Sequence, residues 1–111
     1  MLYFRMAISK DQPHSKHYKE PEYRIIDNCV VKFSDVVVYE FPMGDVEDPD
    51  LYAAEPLWKW QNSEAGQFVM EHAVEQPYWV RVPDVAHYGY RYRIVARLSE
   101  SNQTFFRLKF T

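Results

Sequence analysis

One cysteine, Cys29, is all this chain of 111 residues has, so an internal disulfide is excluded and a reducing compartment, the cytoplasm, is the expected location. Glycine is scarce as well. Gly44, Gly66 and Gly89 stand far apart, and no glycine-rich loop is available to cradle a phosphate. No apolar run approaches the roughly 18 residues of a membrane-spanning helix. The opening stretch MLYFRMAIS carries Arg5 inside its apolar part and does not read as a secretion signal. Excess charge is missing too: a formal net charge of −3 argues neither for nor against a polyanionic partner.

What the chain does have is core material. Hydrophobic residues make up 47% and aromatic residues 17%, a composition too apolar for a disordered chain. The length suits a single domain over residues 1–111 with one core. The small net charge hides a segregation. Residues 40–75 hold nine acidic groups against one basic group, Lys59, a balance of −8; residues 76–111 hold six basic against two acidic, a balance of +4.

Local patterns predict strands, then a broken helix, then strands. Leu2, Tyr3, Phe4, Met6 and Ile8 give the first nine residues strand content. Residues 9–22 are polar, contain Pro13 and Pro21, and are expected to form a mobile loop. Ile25, Ile26, Val30 and Val31 favour extended structure up to Phe33, and Ser34–Asp35 separates this run from Val36–Phe41. That break suggests a hairpin turning at Ser34–Asp35, without the preferred Asn-Gly or Asp-Gly chemistry, and Pro42 and Gly44 end the run. Asp48 is placed to cap a helix with Pro49 at its first position. Pro56 should break or kink it near Glu55. Ser63 offers a second cap, with Glu64 in the next turn and Ala65, Phe68, Val69 and Ala73 on one apolar face. Pro77 closes the helical part, and Tyr78–Val82 returns to strand character. The predicted class is α+β, a mainly antiparallel sheet with a broken central helix packed on one face.

The last fifth of the chain predicts a terminal hairpin of 90–98 and 104–110. Alternation puts Tyr90, Tyr92, Ile94, Ala96, Leu98, Phe106, Leu108 and Phe110 on one face. The opposite face then carries Arg91, Arg93, Arg97, Arg107 and Lys109. This basic row is either the wet side of a sheet, neutralised by acidic residues of the middle segment folding over it, or a surface for an acidic protein or for nucleic-acid phosphates.

Other chemistry finds less support. Asp45, Glu47, Asp48 and Asp50 alternate like calcium ligands, but counting from Asp45 puts Asp50 where an EF-hand needs glycine and Pro56 where it needs glutamate. Helix approach and solvation explain them better. His14 and His17 with His72, His87 and Cys29 follow no zinc spacing. Cys29 sits in an apolar strand run, where a buried, inert thiol is expected, and could otherwise pair with His72 or His87 as a nucleophile. His87 within HYGYRY could move protons in a metal-independent ribonuclease. Trp58 and Trp60 are two apart, so a helix points them in different directions and one is expected to be exposed for contact. No catalytic residue, metal or cofactor is assigned.

Asp48–Ala54 reads DPDLYAA, Pro56–Gln61 reads PLWKWQ and Ser63–His72 reads SEAGQFVMEH. Across Asp45–Ala73 the chain resembles a group of small uncharacterised proteins of tailed bacteriophages. The resemblance implies a phage origin and no known activity. Together these readings predict a small non-enzymatic interaction protein. It would bind a host or phage protein, or itself, through the basic row or through Asp45, Glu47, Asp48, Asp50, Trp58 and Trp60. The alternative is a nucleic-acid-binding protein using the basic hairpin, and no membrane partner is expected.

Overall fold

Alternation governs most of the stretch Tyr90–Ser99: Tyr92, Ile94, Ala96 and Leu98 are buried, Arg91, Arg93 and Val95 between them face away, and Arg97 and Ser99 at the end are buried as well. The computed structural model describes residues 8–10, 20–86 and 88–110. Within them the chain forms β1 (Ser9–Lys10), β2 (Glu22–Ile26), β3 (Cys29–Gly44), α1 (Pro49–Gln61), α2 (Glu64–His72), β4 (Tyr78–Pro83), β5 (Tyr90–Ser99) and α3 (Glu100–Phe110). The sheet order is β1-β4-β5-β3-β2. All its pairings are antiparallel except the short parallel contact of β1 with β4. This is the α+β class, and the helices share one face of the sheet.

The core lies between that face and the helices. Val38 and Phe41 of β3, Trp79 of β4 and the four inward residues of β5 meet Ala53, Leu57 and Trp60 of α1, Val69 of α2 and Phe106 of α3. Fully buried side chains such as Leu57 and Leu98 contribute about 2 kcal/mol each. Phe41 stacks on Tyr92 with ring centres 5.4 Å apart, and Trp79 packs on the same ring at 5.2 Å. The ladder of β3 with β5 shifts register between Val37 and Tyr39, and the extra residue, Val38, turns into the core. Pro42 does not end β3; it sits beside a second irregularity, between Pro42 and Gly44, where a strand tolerates proline.

Three further local expectations are corrected. The C-terminal hairpin does not form, because residues 100–110 are helical. Ser99 accepts a hydrogen bond from the Asn102 N–H at 3.2 Å as an N-terminal cap, and Glu100 sits in the first turn. Phe106 and Phe110, four apart, pack on Phe68, while Leu108 between them is left exposed. The Gln103 amide donates to the Leu98 carbonyl (3.0 Å) and Ser34 Oγ (2.9 Å), tying α3 to the sheet.

The first hairpin does not turn at Ser34–Asp35, which lie inside β3 opposite Leu98 and Arg97. It turns at Asp27–Asn28, whose φ values of 52° and 63° define a two-residue turn with both centres left-handed, the twist that suits a hairpin. Asn and Asp tolerate that region better than other non-glycine residues.

Pro56 does not break α1. Ala53, Leu57 and Trp60 form one buried stripe spanning the proline, and Glu55 and Lys59 are bridged at 3.0 Å on the outside. Packing on both sides of Pro56 outweighs the one hydrogen bond it lacks. The break falls at Asn62–Ser63, where Ser63 Oγ accepts from the Gly66 N–H at 3.1 Å. A side chain at Gly66 would meet the Trp60 carbonyl oxygen at 1.8 Å, so glycine permits the tight helix-to-helix corner.

The expected mobile loop at 9–22 has strand at both ends, Ser9–Lys10 and Glu22, and its residues 11–19 lie outside the described residues, as do residues 1–7 of the expected first strand.

Candidate interaction surfaces

The row of five cations is not assembled. Arg91, Arg93 and Arg97 do share the sheet face away from the helices, because β5 alternates as expected. Their charges are met by acids of β2 and β3, of which Glu40 is the one that belongs to the acidic middle segment 40–75. Arg93 Nε donates to Glu40, its cross-strand partner, and Arg91 lies 3.7 Å from the same carboxylate. Arg97 is 3% exposed. It donates to Asp35 at 2.9 Å, to Glu22 at 3.0 Å and to the Glu20 carbonyl. Burial works against its charge, but the hydrogen bonds it donates to Asp35 and Glu22 hold its pKa above the ordinary arginine value. Glu22 is held below the usual carboxylate range by Arg24 first and Arg97 second.

Arg107 and Lys109 belong to α3 and not to the sheet. Arg107 is exposed on the helix, and Lys109 bridges to Glu64 of α2 at 3.3 Å while lying over the rings of Phe105 and Phe110. Both sit in the last turn, where a positive charge suits the helix dipole.

The acidic set divides as well. Asp45, Glu47 and Asp48 are exposed ahead of α1. Asp48 occupies the cap position in a left-handed conformation (φ 51°) with no side-chain cap bond, followed by Pro49 as expected. Asp50 instead reaches the sheet. Its carboxylate accepts from the Tyr92 hydroxyl at 2.7 Å and from Arg81 at 3.1 Å, and Arg81 lies 4.5 Å over the Tyr90 ring. Burial, then the bond to Asp50, pushes the Tyr92 phenol far above its ordinary pKa. Arg81 and Tyr92 belong to this cluster although residue patterns pointed to neither, since nothing local joins residues 31 and 42 positions apart.

Trp58 and Trp60 point apart. Trp60 is buried and stacks on Tyr39 with ring centres 5.7 Å apart, so it anchors the core and offers no contact surface. Trp58 is partly exposed beside Leu51, Ala54, Glu55 and Lys59 in a shallow groove on α1.

A group of exposed apolar residues lies on the stretch expected to be extended up to Phe33. β3 meets β5 only from Phe33 onward; residues 29–32 pair with β2 alone, so there the two strands form a two-stranded arm. On its helix-side face Tyr23 is 65% exposed, Ile25 77% and Val30 71%; Ile26 is exposed on the other. Cys29 is exposed at the arm's tip, a correction to its expected burial. Such a hairpin is marginal in water by itself. It is fixed at its base by Glu22 on Arg97, by Arg24 over the Phe33 ring at 5.1 Å and by Lys32 near Glu100 at 3.8 Å.

Among the described residues the one histidine is His72. His72 Nδ1 donates to the Phe68 carbonyl at 2.8 Å and its ring packs on Phe68, so it engages α2 and not Cys29. His14, His17 and His87 lie outside the described residues. Among the described residues no three potential metal ligands cluster, and no helix is long and apolar enough to cross a membrane. The fold and its exposed arm define an α+β protein; compared with family models, curated proteins and solved structures, the chain matches none.

Proposed function

We propose that this chain is a small non-enzymatic interaction protein of the cytoplasm that binds another protein through the β2–β3 arm. The observation that carries this reading is the exposure of Tyr23, Ile25 and Val30 on a two-stranded extension held rigidly at its base. Contiguous exposed apolar surface of this kind marks contact sites in proteins. Trp58 and Leu51 on α1 supply a second, smaller contact area. The resemblance of Asp45–Ala73 to small tailed-phage proteins supports a host or phage protein as partner, copies of this chain included.

The nucleic-acid reading loses its main support. A phosphate-binding sheet needs uncommitted cations, and Arg91, Arg93 and Arg97 are engaged by Glu40, Asp35 and Glu22.

Immobilised chain tests the proposal, with proteins retained from nuclease-treated lysate compared between wild type and Tyr23→Ser/Ile25→Ser. A specific protein held by wild type and lost by the double variant is expected. Equal retention by both would remove the arm from the account.

A further inference from the structure

We propose that β2 is a self-pairing edge: two copies of this chain join antiparallel along Glu22–Ile26, with Arg24 on the two-fold axis, and merge their sheets into one. The proposal rests on the arm's binding role and names the partner as a second copy.

The first ground is backbone parity. The turn at Asp27–Asn28 closes on the pair Ile26–Cys29, so that pair exchanges hydrogen bonds across the hairpin. Alternation then directs the N–H and C=O groups of Glu22, Arg24 and Ile26 toward β3, and those of Tyr23 and Ile25 toward the open edge. Among the described residues β2 ends the strand order, and none of its five residues is a proline. A second β2 laid antiparallel about Arg24 places Tyr23 opposite the other copy's Ile25, and Ile25 opposite its Tyr23. Those two positions are the ones whose backbone groups point away from β3, so four hydrogen bonds form and the whole strand is used.

The second ground is side-chain complementarity in that same register. On the helix-side face it creates two aromatic–β-branched cross-strand pairs, Tyr23 with Ile25, flanked by Val30 of each copy. On the opposite face Arg24 meets its own copy across the axis, a like-charge contact. Each Arg24 already holds Glu22 at 2.8 Å, and each lies diagonal to the other copy's Glu22, so two arginines and two glutamates interleave and cancel.

A five-residue edge pairing of this kind buries on the order of 800 Å² in total, at the low end of specific interfaces, which makes association concentration-dependent. The acidic turn, Asp27–Asn28, lies outside the paired stretch and stays in water.

The test uses the full chain. Sedimentation equilibrium from about 1 µM to about 500 µM is expected to show the mass rising from 13.3 kDa toward twice that value, while Ile25→Lys stays at the monomer mass. Register is read in a Cys29→Ser background carrying one cysteine, at position 24 or 22, with oxidised glutathione as the oxidant. Arg24→Cys places two thiols across a pair with Cα atoms about 4.5 Å apart, within disulfide reach, and is expected to give covalent dimer about tenfold faster than Glu22→Cys, which faces the other copy's Ile26. A wild-type mass of one chain throughout overturns the dimer, as does equal cross-linking at both positions. A monomer that still captures a different protein through Tyr23 and Ile25 overturns the dimer alone; loss of both results removes the arm's role as well.

Discussion

Arg97 donates to Asp35 across the β3–β5 ladder at 2.9 Å, with 3% of its side chain reaching solvent. One guanidinium there serves two carboxylates and a carbonyl, and it ties the base of the arm to the centre of the sheet. Arg97→Ala leaves Asp35 and Glu22 without it, at an expected cost of about 3–5 kcal/mol. Arg97→Lys recovers little, because one ammonium cannot reproduce the planar fork. Denaturant midpoints at unchanged slope measure the loss; a change below about 1 kcal/mol would put this pair among ordinary surface bridges.

Glu22 links stability to pH. Arg24 and Arg97 lower its folded pKa below the ordinary 4.5. Its contribution is therefore complete above that value and disappears as pH falls through the lower folded pKa. Wild type should lose stability on acidification relative to Glu22→Gln, and the gap between them should close in acid. Melting curves from neutral pH down to about pH 3 follow the gap. A gap constant with pH would contradict the assignment.

The Asp27–Asn28 turn demands left-handed backbone at both positions. Asn28→Gly should therefore leave stability unchanged or raise it by about 0.5 kcal/mol, and Asn28→Val should lower it by about 1–2 kcal/mol. Because the arm carries the proposed contact, Asn28→Val should also weaken partner capture. Equal stability of the two variants would show that the turn is built differently.

With its cations engaged, the outer sheet face should not hold nucleic acid. Retention of single- or double-stranded DNA or RNA on a filter at about 50 mM salt should be absent, a condition under which phosphate binding is strong. Retention that fell steeply with salt and was lost in Arg91→Gln/Arg93→Gln would restore the basic face as a site.

The inward row Tyr92, Ile94, Ala96 and Leu98 was legible because a period of two, sustained over a whole strand, has no helical reading. Phe106 and Phe110, four apart, fit both periods, and the Ser99 cap with Glu100 behind it distinguishes them. Asp27–Asn28 lacks the glycine that marks such turns in a sequence, although Asn and Asp also enter the left-handed region. Ile25 and Val30 read as strand, which they are, but nothing in a sequence says where a strand outgrows its sheet and leaves them exposed. The partners of Arg93 and Arg97 depend on register over 53 and 62 positions, which composition does not encode.

Amide hydrogen exchange on the chain, dilute and alone and then saturated with the protein it captures, tests the central claim most directly. Slowed exchange across Glu22–Phe33 on binding, with Tyr23 and Ile25 the most affected, is predicted. Protection confined to Arg91–Arg97 with the arm unchanged would contradict it.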